Sequence, residues 1–180
     1  MIEKLLDVFL KEYKILPNCN IEQRRQVSFE LLSCIIAFKV SPYFAKDNCW
    51  MSKYILETDS YSNDNEDGGV DGYHIIANEN EIIVKLNQSK YSNSLQNNEI
   101  EKYFRSVNKY IVNTSLELSN GYTSLEKIRT KIKLAEEKYP VSSISYELHI
   151  CTLDISVDRK KEIETIFDAE FLKKNEFKLI

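Results

Sequence analysis

Apolar positions recur along this chain with two periods, and the changes of period mark its elements. Residues 2–16 carry Leu5, Leu6, Phe9, Leu10 and Tyr13 at helical spacing, and Pro17-Asn18 stops them. A second helix is expected over about 22–40. Val27, Leu31, Ile35 and Phe38 mark its face, Leu32 and Ile36 widen it, and Pro42 ends it. Glu30, preceded by Phe29, sits inside that apolar stretch. Residues 52–57 fit a short strand or a helix equally, and the polar run 58–69 reads as a loop. The period then drops to two. Residues 71–77 and 81–91 read as the strands of a hairpin that turns at Asn78-Glu79-Asn80. Helical spacing returns over 98–118 (Ile100, Tyr103, Phe104, Val107, Tyr110, Ile111). It returns again over 125–139 (Leu125, Ile128, Ile132, Ala135, Tyr139), where Pro140 closes it. A buried strand over 145–155, a helix over 159–173 and a last strand over 177–180 complete the order.

Strands joined through helices call for parallel pairing and helical layers, so the expected fold class is α/β, a mixed sheet flanked by helices. The 180 residues are enough for one domain with a full core, and residues 1–180 are read as that domain. The abrupt apolar end also fits the N-terminal part of a longer protein. Hydrophobic residues at 43% and charged residues at 29% are ordinary for a globular chain, and no apolar run approaches the ~18 residues of a membrane span. An acidic residue falls within the first seven, where a signal peptide needs basic and then apolar residues, so the expected compartment is the cytoplasm. Cys19, Cys34, Cys49 and Cys151 lack the close pairing of zinc ligands and read as reduced, buried thiols. The net charge of -4 weighs against a strong stand-alone nucleic-acid binder but allows a local basic groove.

The chemistry concentrates in Glu66-Asp67-Gly68-Gly69-Val70-Asp71-Gly72-Tyr73 and Asn87-Gln88-Ser89-Lys90-Tyr91. Three of the chain's four glycines lie within five residues there, which marks a close approach of backbone or ligand. A hairpin about residues 78–80 puts Asp71 opposite about residue 87. Gln88 and Lys90, two apart on a strand, share a face. An acid, an amide and an amine therefore gather at one strand end. Such a group suits phosphodiester hydrolysis: oxygen donors hold a hard divalent ion, and an ammonium group positions the attacking water or stabilises charge on the phosphate. Other polar residues read more simply. Glu66 and Asp67 are loop charges, and His74 and His149 are core or edge histidines. Ser89 has no histidine nearby in sequence to activate it. Gly68-Gly69-x-x-Gly72 lacks the strand-then-helix setting of a dinucleotide site. Lys127, Arg129, Lys131 and Lys133 form a solvated helix face, with phosphate contact as the alternative.

Asp71 followed by Gln88-x-Lys90 resembles the PD-(D/E)xK nuclease superfamily in its QxK form, as in Mrr-like restriction endonucleases. The fuller string from Asp67 to Gly72, a strand, then Gln88-Ser89-Lys90-Tyr91 is most similar to the N-terminal region of the abortive-infection phage-resistance (AIPR) family. The likeness extends loosely over Glu99-Ile100-Glu101-Lys102-Tyr103-Phe104. It implies a restriction-endonuclease-like core of helix, three-strand meander, helix and strand. It also implies Asp71 as metal ligand, Gln88 at the usual second acidic position, Lys90 as catalytic lysine and Glu30 as the acid that the first core helix adds. The implied cofactor is Mg²⁺ or Mn²⁺. The implied partner is nucleic acid, DNA favoured over RNA, with no membrane, in bacterial anti-phage defence; a homodimer is the assembly many restriction-type nucleases adopt. Gln88 departs from the usual acid and lowers the charge of the site. The alternative is therefore an inactive nuclease-fold module that binds nucleic acid or a protein partner.

Overall fold

A computed structural model describes residues 2–12, 20–51, 69–113, 123–140, 143–153, 161, 163 and 176–179. The first helix, α1, spans Ile2–Glu12, and α2 spans Ile21–Phe38. Asn20 caps α2 in a reciprocal capping box with Gln23, which satisfies two of the backbone groups a helix start leaves open. Arg25 pins α1 to α2 by bonding both carboxylate oxygens of Asp7, each at 3.0 Å. Residues 27–34 of α2 are all buried, so this helix is enclosed on every side rather than along one stripe. That enclosure accounts for the burial of Glu30. Of the face expected from spacing, Ile36 is instead exposed.

Lys39 ends α2 in the left-handed conformation, with φ 55°. Pro42 does more than stop the helix. It opens a new short helix, α3 (Pro42–Phe44), capped by Ser41 and continued as a π turn over Ala45–Cys49. Periodicity gave no sign of this π turn, because five residues are too few to show one. Trp50 then bridges Gly72 in antiparallel fashion. The remainder of the region left open between strand and helix, 52–57, and the polar run up to residue 68 lie outside the described residues.

The hairpin forms as expected, with β1 at Gly72–Ala77 and β2 at Ile82–Lys90. The Asn78 side chain closes its glycine-free turn by accepting from the N–H groups of Asn80 (2.8 Å) and Glu81 (3.2 Å). Next comes α4 (Asn97–Val107), which runs into a second π turn at Asn108–Val112, and then α5 (Thr123–Lys138). The sheet is completed by β3 (Ile144–Thr152) and β4 (Glu176–Leu179). Of the expected helix over 159–173, only Lys161 and the buried Ile163 lie within the described residues.

The four strands stand in the order β1-β2-β3-β4, antiparallel between β1 and β2 and parallel thereafter. The fold is thus α/β with a mixed sheet. Alternation along the strands sends Val84, Leu86, Leu148 and Ile150 to one face, against Ile100, Tyr103, Val107, Leu125 and Ile128 of α4 and α5. The other face meets α2: Asn87, Ser89 and Cys151 all bond or contact Ser33. Among the described residues no single helix is long and apolar enough to cross a membrane.

Candidate functional site

At the start of β1 the ladder is out of step. Gly72 pairs with Asn87, yet the Asp71 N–H also donates to the Asn87 carbonyl, at 2.8 Å. Two residues thus address one, the arrangement of a β-bulge, which re-aims a side chain at a strand end. Asp71 therefore stands opposite Asn87 by its hydrogen bond, as the hairpin spacing predicts. Its Oδ2 accepts the Ser89 N–H at 2.6 Å, and its carbonyl accepts the Met51 N–H at 3.0 Å. The carboxylate is thereby fixed at the junction of both sheet faces. Its charge reaches Cys34 and Cys151 on the α2 side and Tyr103 on the α4 side, adding to burial as a cause of their raised pKa values.

Gln88 and Lys90 share the face of β2 that looks toward α4, as their spacing predicts. Gln88 is 5% exposed, and its Oε1 has no hydrogen-bond partner among the described residues. A buried carbonyl oxygen without a donor is costly unless something absent completes it. Gly69 lies over this amide at φ 78°, and a Cβ added there would stand 2.8 Å from Gln88 Nε2. Glycine is thus required at 69 both by conformation and by the closeness of Gln88. Gly72 is required by packing alone, since a Cβ there would run into Cys34 Sγ.

Glu30 reaches the same neighbourhood from α2. It is 8% exposed, and its Oε2 accepts from the Trp50 indole N–H at 3.3 Å, on the residue that bridges Gly72. Both carboxylates raise the pKa of the Cys34 thiol, after burial as the main cause, so Asp71 and Glu30 act on one point. Burial also pushes Cys49 up to about 11 and Cys151 up to about 12. These thiols stay protonated at neutral pH. Among the described residues no three His, Cys, Asp or Glu side chains gather as a metal-binding group. The candidate donors for an ion are two acids and an amide. These are oxygen donors of the kind a hard divalent cation takes, with Glu30 coming from the α2 side of the sheet and the orphaned Gln88 Oε1 on the α4 side.

Lys90 is held elsewhere. Its ammonium group is 2.9 Å from Glu99 Oε1 in the first turn of α4. Glu99 also accepts the Gln96 N–H at 3.1 Å, which orients it toward β2. Burial pulls the Glu99 carboxyl up, but the hydrogen bonds from Lys90 and Gln96 and the Lys90 charge together hold it below its ordinary value. A carboxyl whose pKa is lowered by folding adds stability above its unfolded value and loses it as pH falls through the folded value. Thermal melts of wild type and Glu99→Gln should therefore differ at neutral pH and converge as pH falls below 4.5, the ordinary value for this group. A difference that persists unchanged in acid would remove the ion pair as its cause.

Sequence reasoning did not find the groups that hold the candidate residues. Ser33 Oγ donates to Ser89 Oγ at 2.8 Å, and Asn87 Nδ2 donates to Ser33 Oγ at 3.1 Å. Asn87 Oδ1 faces the Cys151 thiol at 3.3 Å. This buried network fixes the β2 segment whose backbone holds Asp71. Its signal was available: Asn87 and Ser89 alternate as small polar residues on one face of a strand whose first half is mainly apolar. His74 and His149 fall in strands, as expected. Burial and then the Lys85 charge lower the His74 pKa, so that ring is neutral at neutral pH. His149 is 1% exposed and lies edge-on to Phe38.

No family model matches this sequence, and no curated protein or solved structure is significantly similar to it.

Proposed function

We propose that this chain is a metal-dependent nuclease of PD-(D/E)xK type, with DNA as the favoured substrate and a role in bacterial anti-phage defence, as the resemblance to AIPR proteins implies. The observation that carries the reading is the bulged strand end. There the Asp71 N–H doubles up on Asn87 and its carboxylate accepts the N–H of Ser89, the chain neighbour of Gln88, whose buried oxygen is orphaned; Lys90 follows two residues on along the Gln88 face. The element order agrees in part: a helix, an antiparallel hairpin, helices, then a strand parallel to β2, while of the expected three-strand meander the described residues hold two strands and the single Trp50 bridge.

Asp71, Gln88 and Glu30 are the residues that would hold Mg²⁺ or Mn²⁺. The bound ion would polarise the phosphodiester and neutralise charge developing on it. Asp71 is oriented for this by the Ser89 N–H, and Glu30 by the Trp50 indole. Lys90 would place the attacking water or stabilise charge building on the phosphate, its ammonium turning from Glu99 toward it.

The test is incubation with plasmid and single-stranded DNA in Mg²⁺ or Mn²⁺, then with EDTA. Nicking that the chelator stops supports the reading; intact DNA under every metal counts against it. The chain's single tryptophan offers a readout independent of cleavage. Because Trp50 bonds Glu30, Mn²⁺ or Mg²⁺ titration should change its emission in the wild type and not in Asp71→Asn. An identical response in both proteins would remove Asp71 from the metal site.

The engagement of Lys90 by Glu99 and the neutral Gln88 favour a second reading, an inactive nuclease-fold module that binds nucleic acid or a protein partner. Emission unmoved by metal, together with uncut DNA, would select it.

A further inference from the structure

The outer surface of α4 and α5 carries a charge opposite to that of the whole chain. Both helices bury their inner faces against the same side of the sheet, so their outer faces form one layer. Residues 97–112 and 123–138 together hold eight Lys and Arg against five Glu, a balance of +3 in a chain of -4. The rest of the protein is therefore at -7. Exposed cations grouped on two neighbouring helices raise the potential locally even in an acidic chain.

Helical spacing sorts these cations into stripes. Lys102 and Arg105 on α4 and Lys109 in the π turn that continues it recur at i, i+3 and i+7, and all three are exposed. On α5, the successive positions 127, 131, 134 and 138 of one flank are Lys, Lys, Leu and Lys, all exposed, while Glu126, Glu136 and Glu137 fall elsewhere around the helix. Arg105 is bridged to Glu101 at 3.2 Å in an exposed pair, which does little to neutralise it. Lys109 stands 4.7 Å over the Tyr110 ring and Lys138 stands 5.0 Å over the Tyr139 ring, which restrains both cations without cancelling their charge. The α4 stripe begins beside the candidate site, since Lys102 is one turn beyond Glu99, the partner of Lys90.

We propose that this face receives the phosphate backbone of nucleic acid and leads it to the end of β2. The proposal rests on the nucleic-acid reading of the site and adds where the strand lies. From Lys102 to Lys109 is about 10 Å along the helix axis, and from Lys127 to Lys138 about 16 Å, so each stripe spans several phosphates. Lysines and an arginine on exposed helix faces meet phosphates and carry no base-edge readout, so the recognition is independent of sequence.

The test is anisotropy of labelled single-stranded and duplex oligonucleotides of unrelated sequence, in EDTA so that no cleavage intervenes, over a range of salt. Wild type is compared with Lys102→Glu/Lys109→Glu, with Lys127→Glu/Lys131→Glu, and with Lys4→Glu/Lys11→Glu on α1, which makes the same charge change away from this face. Circular dichroism confirms that each variant folds. Wild type should bind every sequence alike. Each stripe variant should bind on the order of tenfold or more weakly, with the salt slope reduced by about 1 for each phosphate no longer neutralised, and the α1 variant should match wild type. Absence of binding by wild type, an equal fall in the α1 variant, or equal affinity for polyglutamate would overturn the proposal, the last pointing to an acidic protein instead. Cleavage assays on the same proteins separate the two claims. Stripe variants that bind more weakly while wild type cuts nothing leave this surface standing and end the catalytic reading. Metal-dependent cutting with KM unchanged in the stripe variants does the reverse.

Discussion

Lys90→Ala should lose metal-dependent cleavage by on the order of 10²-fold or more while melting close to wild type. The two halves of this expectation have different causes. In the proposed mechanism the ammonium group would meet charge that develops only during reaction, so its removal would act on the barrier. Its contribution to folding is small: both partners of the Lys90–Glu99 pair keep about a third of their side-chain surface in solvent, and pairs so exposed stabilise by roughly 0–1 kcal/mol. Single-turnover cleavage of plasmid, beside thermal melts of both proteins, measures each half. A variant that cuts at the wild-type rate would end the catalytic assignment of Lys90. A variant that fails to fold would show the ion pair to be structural. Glu99→Gln sharpens the comparison. If Glu99 holds the ammonium away from the phosphate in the resting protein, its removal leaves cleavage intact or faster, and a fall as deep as that of Lys90→Ala would instead make Glu99 part of the working site.

The hairpin and the shared face of Gln88 and Lys90 were legible in the sequence because each follows from a period of two, while the ladder runs one residue off the spacing expected from a turn at 78–80 and only the bulge brings Asp71 to Asn87. Helix positions were equally plain wherever one face is apolar, as in α4 and α5. What was not legible depends on contacts between residues far apart in the chain. The Glu30 environment is set by Trp50, and the Lys90 partner sits in the next helix. Ser33 bonds Ser89 across 56 positions. The π turn at Ala45–Cys49 is too short to show a period of its own, and Ile36 is exposed although Ala37 and Phe38 after it are buried, because only one side of the last turn of α2 is covered. The bulge at Asp71 is a different case. The cluster of glycines announced something unusual there, but only the double pairing to Asn87 shows that the chain spends a residue to turn the carboxylate.

Gly72→Ala should destabilise the fold by about 1–3 kcal/mol, and Cys34→Ala should restore much of that stability. The backbone at Gly72 is not left-handed, so alanine meets no conformational strain there. The obstacle is space. An added Cβ runs into Cys34 Sγ and would stand 3.3 Å from the Cys49 carbonyl oxygen and 3.5 Å from Phe38. Cys34 and Phe38 are buried in α2, which is enclosed on every side, so the sulfur has little freedom to withdraw. Cys34→Ala alone leaves a void the size of one sulfur atom and should cost on the order of 1 kcal/mol. In the double variant the methyl group introduced by Gly72→Ala occupies that void, and the two changes should offset each other rather than add. Urea melts of the four proteins give the coupling directly. Strict additivity would mean that the collision is relieved by motion of β1 instead. Gly72 follows the bulge, so such motion would also carry Asp71 away from Ser89. Cleavage by Gly72→Ala, measured at a temperature where it stays folded, would then fall with the geometry and would not recover on removal of the Cys34 sulfur.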